Sequence, residues 1–201
     1  MQSARNQQRE FLLRASTLLV LFLSVWWFLL QAPALLALYA GVKIPFAFLR
    51  DAAVTMEPTG EWTFRAPVQE LPDNVDGRTG AARIDSVDFT VPARDLLVFT
   101  LGVPLYLAVG LSVPGPRRIR PLLVGCALEA ALGILSVMVF AEVTAYNSFA
   151  QMRAATSALE HWFLDLIWNL VTGVLPYAGP LVTAVWLHPE LRHRIFAAPL
   201  S

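Results

Sequence analysis

The sequence predicts an all-α integral membrane protein of about four membrane-spanning helices, with a small β-rich extracytoplasmic insertion between helices 1 and 2. Three observations carry this. The 201 residues are 56% hydrophobic and 15% charged, whereas soluble domains average about 45–50% apolar and about 25% charged. The apolar residues fall in long blocks, which is the signature of membrane spans. Arginines and acids are also sorted along the chain: acid-rich sequence sits between the first two blocks and arginine-rich segments between or beyond the others.

The first block follows a polar start carrying Arg5, Arg9 and Arg14 and runs from Ala15 to Val42. It is about twice as long as the roughly 7–15 apolar residues of a secretory signal peptide, so it reads as a retained anchor. Leu12 to Gln31 supplies the roughly 20 residues a span needs. The rest, with Pro33 and then Lys43 to Arg50, is expected to leave along the membrane surface, with the two cations as interfacial anchors. The first unit is therefore 1–50.

Residues 51–94 form the second unit. Between 51 and 92 lie eight acids and three arginines. Val54–Met56, Glu61–Arg65 and Arg83–Val91 alternate partly and carry β-branched and aromatic residues, as strands do. Pro58 to Gly60 suits a turn and Asp73 to Gly80 a longer loop. About 40 residues bury little core alone, so the insertion must lean on the membrane surface, on helix ends or on a partner. Trp62 and Phe64, two apart, share one face of a strand and are the candidate outer docking residues.

The third unit, 95–201, holds three spans: Leu96–Val113, Leu122–Val143 and Trp162–Leu187. Eight arginines and only Glu10 and Glu190 as acids occupy the N-terminal segment, the Arg117–Arg120 loop and the tail. With four spans those segments share one side, and short arginine-rich loops stay cytoplasmic. Both termini are thus expected in the cytoplasm of a bacterial inner membrane. A five-span alternative folds Ala15–Leu49 into a helical hairpin and exports Arg117, Arg118 and Arg120.

Glu129 lies in the third span, about 10 Å from its cytoplasmic end at 1.5 Å per residue. A carboxyl group there costs roughly 2.5–3.5 kcal/mol on insertion scales, so it should face other helices. Gly125 and Gly133 flank it at i−4 and i+4 and leave room for a close helix. Its two readings are a proton relay or docking point, and a structural acid bonded to a hydroxyl such as Thr183. Asp165, Asn169 and Thr172 share one face of the fourth span, again either as internal hydrogen bonding or as a partner contact. Pro176 to Pro180 is expected to break that span, and a small transporter or channel built on this break and Glu129 is the alternative function. Cys126 is a poor nucleophile candidate, because His161 starts the next span at the opposite surface and a Cys–His pair needs hydrogen-bond reach. The histidines lack metal-ligand spacing, and there is no phosphate loop and no nucleic-acid surface. The expectation is no cofactor and no catalytic residue.

Ser24-Val-Trp-Trp-Phe28, the Gly102–Pro114 stretch and the Gly173–Trp186 stretch, in this order around an outer β-rich loop, resemble the exosortase H-associated membrane proteins of bacteria. The resemblance implies a non-enzymatic helper of a membrane transpeptidase that processes sorted surface proteins. The partners it implies are that exosortase-type enzyme, or another membrane protein, and the bilayer. It brings no catalytic residues. The enzyme itself uses Cys, Arg and His at the outer membrane face, and Cys126 lies on the other side.

Overall fold

The computed structural model describes residues 2–50, 53–57, 60–67, 86–113, 119–148 and 157–196. Four helices among them are long and apolar enough to cross a membrane: Arg9–Phe48, Ala93–Ser112, Ile119–Asn147 and Ala158–Leu187. They are called the first to fourth spans below. Helix α1 (Gln2–Val25), a π-helical turn (Trp26–Leu30) and α2 (Gln31–Arg50) make the first span and its extensions. Strands β1 (Ala53–Met56), β2 (Glu61–Pro67) and β3 (Ser86–Pro92) follow. The second span is built from α3 (Ala93–Leu96), a 3-10 turn (Leu97–Thr100) and α4 (Gly102–Ser112), and the third is α5 (Ile119–Ser148). The fourth comprises α6 (Ala158–Asn169), a second π-helical turn (Leu170–Val174) and α7 (Leu175–Leu187), after which the short α8 (Pro189–Phe196) closes the described chain.

Three prolines explain the three irregular turns. A proline has no N–H for the carbonyl four residues back and its ring presses on that carbonyl. Pro33, Pro104 and Pro176 stand four residues after Leu29, Thr100 and Thr172, and each of these lies in one of the π or 3-10 turns. Widening or tightening a turn re-satisfies the freed groups inside a membrane helix. This corrects the expected break at Pro176–Pro180: the distortion lies upstream, at Leu170–Val174, and the helix runs on through Pro180 to Leu187.

The first helix likewise runs unbroken from Gln2 to Arg50, so Ala15–Leu49 is not a hairpin. At 1.5 Å per residue it is roughly 70 Å long, more than twice the ~30 Å hydrocarbon core. Residues 32–50 continue as helix because one face has work to do. Leu38, Val42 and Phe46, spaced by four, are 6%, 0% and 2% exposed and form the floor on which the sheet rests.

The sheet is antiparallel in the order β1-β2-β3. Gly60, at φ 83°, closes the first hairpin, with its N–H donating to the Glu57 carbonyl at 2.9 Å. Positive φ is the conformation glycine adopts without a steric penalty. Residues 58–59 and the expected 73–80 loop lie outside the described residues, as do 81–85 at the expected start of the third strand. Val54, Trp62, Phe64 and Val91 point to the helices and are nearly or fully buried. The Tyr39 hydroxyl donates to the Val54 carbonyl at 3.1 Å, Tyr39 meets the Trp62 ring edge-on at 5.4 Å, and Phe46 packs on Phe64 at 5.6 Å. One hydrophobic core thus joins the sheet to Leu96 and Phe99 of the second span, Val137 and Ala141 of the third and Val171 of the fourth.

Candidate functional site

The second and third spans fit together through glycines. A Cβ on Gly102 would stand 2.6 Å from the Glu129 Oε2, and one on Gly133 would stand 2.5 Å from the Phe99 carbonyl oxygen. The face of Gly125, Glu129 and Gly133 therefore meets the second span of its own chain. Glu129 is 4% exposed. Thr183 of the fourth span, the hydroxyl considered for it from sequence, is buried beside it. The Glu129 Oε1 has no partner among the described residues, and Gly179 lies close to Oε2. Glu129 is thus a three-helix junction, clamped by residues from the second and fourth spans.

Tyr106 is a second buried polar point, and sequence reasoning missed it. The ring is fully buried and occupies the space that a side chain on Gly125 would need. Its hydroxyl donates to the Pro121 carbonyl at 2.8 Å and lies 3.2 Å from the His188 Nε2. A phenol has one hydrogen, so in the second contact the imidazole N–H is the donor. Tyr106 thereby ties the second span to the start of the third and the end of the fourth. The signal was present: Gly102, Tyr106 and Gly110 repeat at four, opposite Gly125, Glu129 and Gly133 at the same period. Half-buried Cys126 packs beside Tyr106. His161 stands instead by Tyr146, ring centroids 5.9 Å apart. Among the described residues, no three His, Cys, Asp or Glu side chains converge as a metal site needs.

The polar face of the fourth span is arranged differently. A capping box starts this helix: Glu160 N–H donates to the Ser157 Oγ at 3.3 Å, and Ser157 N–H donates to the Glu160 Oε2 at 2.9 Å. Asp165 and Asn169 are exposed and Thr172 is half-buried. The Asn169 Nδ2 donates to the Asp165 backbone carbonyl at 2.8 Å, and the Thr172 hydroxyl to the Trp168 carbonyl at 2.7 Å. These bonds stay within the helix, so the three residues are not consumed by packing as Glu129 is.

Trp62 and Phe64 share a face as expected, and it is the inward one: both are 0% exposed. The Trp62 Nε1 has no hydrogen-bond partner among the described residues. On the opposite face Arg65 grips Asp88 through two bonds, Nε to Oδ1 at 2.8 Å and Nη2 to Oδ2 at 2.6 Å. Those hydrogen bonds hold the Asp88 carboxyl below its usual range and raise the guanidinium. Among the large apolar side chains left bare at this end are Ile44 and Phe48, 70% and 89% exposed.

Residues 5–191 match a family profile described as exosortase H-associated membrane protein. The chain belongs to this family. An exosortase H-associated membrane protein is described by an association and not by a reaction, and its four apolar helices make this member a multi-pass membrane protein. No curated protein and no solved structure matches it.

Proposed function

We propose that this chain is a non-enzymatic accessory subunit of an exosortase-type protein-sorting system in the bacterial inner membrane. Both termini lie in the cytoplasm and the sheet outside, and the subunit acts through helix and outer-region contacts with its membrane partner. The observation that carries the reading is the family match along nearly the whole chain. The side chains support it. Glu129, Tyr106 and His188 hold the chain's own helices together, while Asp165 and Asn169 stand exposed on the fourth span. Trp62 and Phe64 serve by fixing the sheet on the first helix, so that the outer region is presented as a rigid part.

Purification of the tagged chain in mild detergent, from cells that make an exosortase-type enzyme, tests this. The enzyme is expected to co-purify, and its absence under conditions that preserve other membrane complexes would refute the reading. The transporter or channel alternative rests on Glu129. It gains nothing from the packing, because Gly102, Gly179 and Thr183 close around that carboxyl. A solute flux lost on Glu129→Gln would revive it.

A further inference from the structure

The fourth span carries a carboxylate where a lipid-facing helix should have none. Leu159, Trp162, Phe163, Leu166 and Leu170 are between 45% and 75% exposed and surround the exposed Asp165. Leu159 lies six residues towards the start of the helix, about 9 Å further out at 1.5 Å per residue. Asp165 therefore has bare apolar side chains on both sides of it along the helix, from Leu159 to Leu170. Charge at membrane depth faces a protein partner in nearly all membrane proteins, yet the Asp165 carboxylate has no hydrogen bond or ion pair among the described residues.

We propose that the Asp165, Asn169 and Thr172 face receives a transmembrane helix of the partner that presents an arginine at this depth. The inference rests on the accessory-subunit reading and names the chemistry of the contact. The hydrogen bonds on this face select the occupant. The Thr172 hydroxyl hydrogen is committed to the Trp168 carbonyl, and one Asn169 amide hydrogen to the Asp165 carbonyl. What remains for an outside group is weighted to acceptors: the Asp165 carboxylate, the Asn169 amide oxygen and the Thr172 oxygen lone pairs. They run along one helix face over two turns. A guanidinium stays charged, spreads five donors in a plane and is more weakly hydrated than an ammonium. It can bridge the carboxylate and the amide oxygen together. Acyl chains offer no donor. At this end of the described spans a second copy could also offer Arg94, which is largely exposed, or Lys43, which in this chain stands 5.9 Å above the Tyr39 ring.

The test measures how much exosortase-type enzyme co-purifies with wild type, Asp165→Asn and Asp165→Arg, each normalised to the accessory chain. Asp165 has no side-chain bond to lose, so all three are expected to accumulate alike. Asparagine should lower capture about tenfold, the size of one good intramembrane polar contact, and arginine should lower it further. A photo-crosslinker at Trp162 identifies the facing helix. Changing that helix's arginine to aspartate should restore capture by Asp165→Arg. If wild type captures the enzyme and both variants capture it equally well, the inference fails and the accessory reading stands. If wild type captures nothing, the accessory reading itself fails. Rescue of Asp165→Arg by Lys43→Asp or Arg94→Asp in the same chain would also overturn the inference, in favour of self-association.

Discussion

Substituting Gly125 by alanine tests the glycine-lined junction most directly. The added Cβ would overlap the Tyr106 ring at Cζ, Cε1 and Oη, so the ring or a helix must move. The ring is fully buried and pinned by the Pro121 carbonyl and His188. Overpacking of this kind costs about 1–3 kcal/mol, and losing the Tyr106–Pro121 bond adds about 1 kcal/mol. Alanine's better helix propensity returns at most about 1 kcal/mol, leaving a net loss of about 1–3 kcal/mol. Gly173→Ala is the matched control, because nothing lies within 4 Å of a Cβ there. It should change stability by between zero and about 1 kcal/mol, upward. Unfolding in mixed micelles, followed by tryptophan fluorescence, reads both. In a Tyr106→Ala background the Gly125→Ala penalty should nearly vanish, since contacting residues couple. A Gly125→Ala protein as stable as Gly173→Ala would refute the reasoning.

Four further outcomes follow. Trp62→Ser with Phe64→Ser should remove the stable protein, because truncating a buried aromatic costs about 3–5 kcal/mol; normal accumulation with lost partner capture would return these rings to a docking role. Cys126→Ala should leave sorting activity intact, and full loss at normal protein levels would revive a thiol mechanism. Reporter fusions at Asp76 and after Ser201 should be active on opposite sides of the membrane, and an externally active C-terminal fusion would refute the four-span orientation. For Asp88, the hydrogen bonds from Arg65 hold the folded carboxyl below the usual carboxylate range, so its contribution is present at neutral pH and is lost as pH falls through that range. The stability difference between wild type and Asp88→Asn should therefore be flat from neutrality to about pH 5 and shrink only below about pH 4, where carboxylates protonate; a difference that vanished by pH 6 would refute the assignment.

Much of the fold was legible because hydropathy and period are local properties. The second, third and fourth spans begin three or four residues before their expected starts; the first two strands lie where alternation put them, and the third is described from Ser86 onward. The first span was harder to read. Pro33, Pro45 and Lys43 look like an exit from the membrane, yet Leu38, Val42 and Phe46 repeat at four and keep the chain helical once a sheet covers them. That covering sheet lies beyond the helix in sequence, so a window along the helix cannot register it. The break at Pro176–Pro180 was misplaced for a related reason: a proline disturbs the carbonyl four residues before it, and the irregular turn forms there. The four-residue spacing of Gly102, Tyr106 and Gly110 marked a close helix contact, but the pairing of Tyr106 with His188 was not legible, because it spans 82 positions and hydropathy carries no register between helices.

Two of the acids in the spans, Glu129 and Asp165, show what a sequence can still reveal about register. Glu129 has glycines four residues away on either side, and those gaps let two helices close around it until it is 4% exposed. Asp165 has Trp162 and Trp168 three residues away on either side, with Phe163 and Leu166 beside it, and it stays exposed. Trp168 stacks on Phe140 of the third span at 4.8 Å, Trp162 stays exposed, and the Asp165 carboxylate is left for something outside. Small flanks mark an acid that builds the fold, and large apolar flanks mark one that waits for a partner. By that reasoning, replacing Trp162 and Leu166 with alanine should leave the chain folded, because both are exposed, while weakening partner capture through lost apolar contact around Asp165. Unchanged capture by that double variant, measured beside Asp165→Asn, would mean that the aromatic and aliphatic flank meets lipid alone.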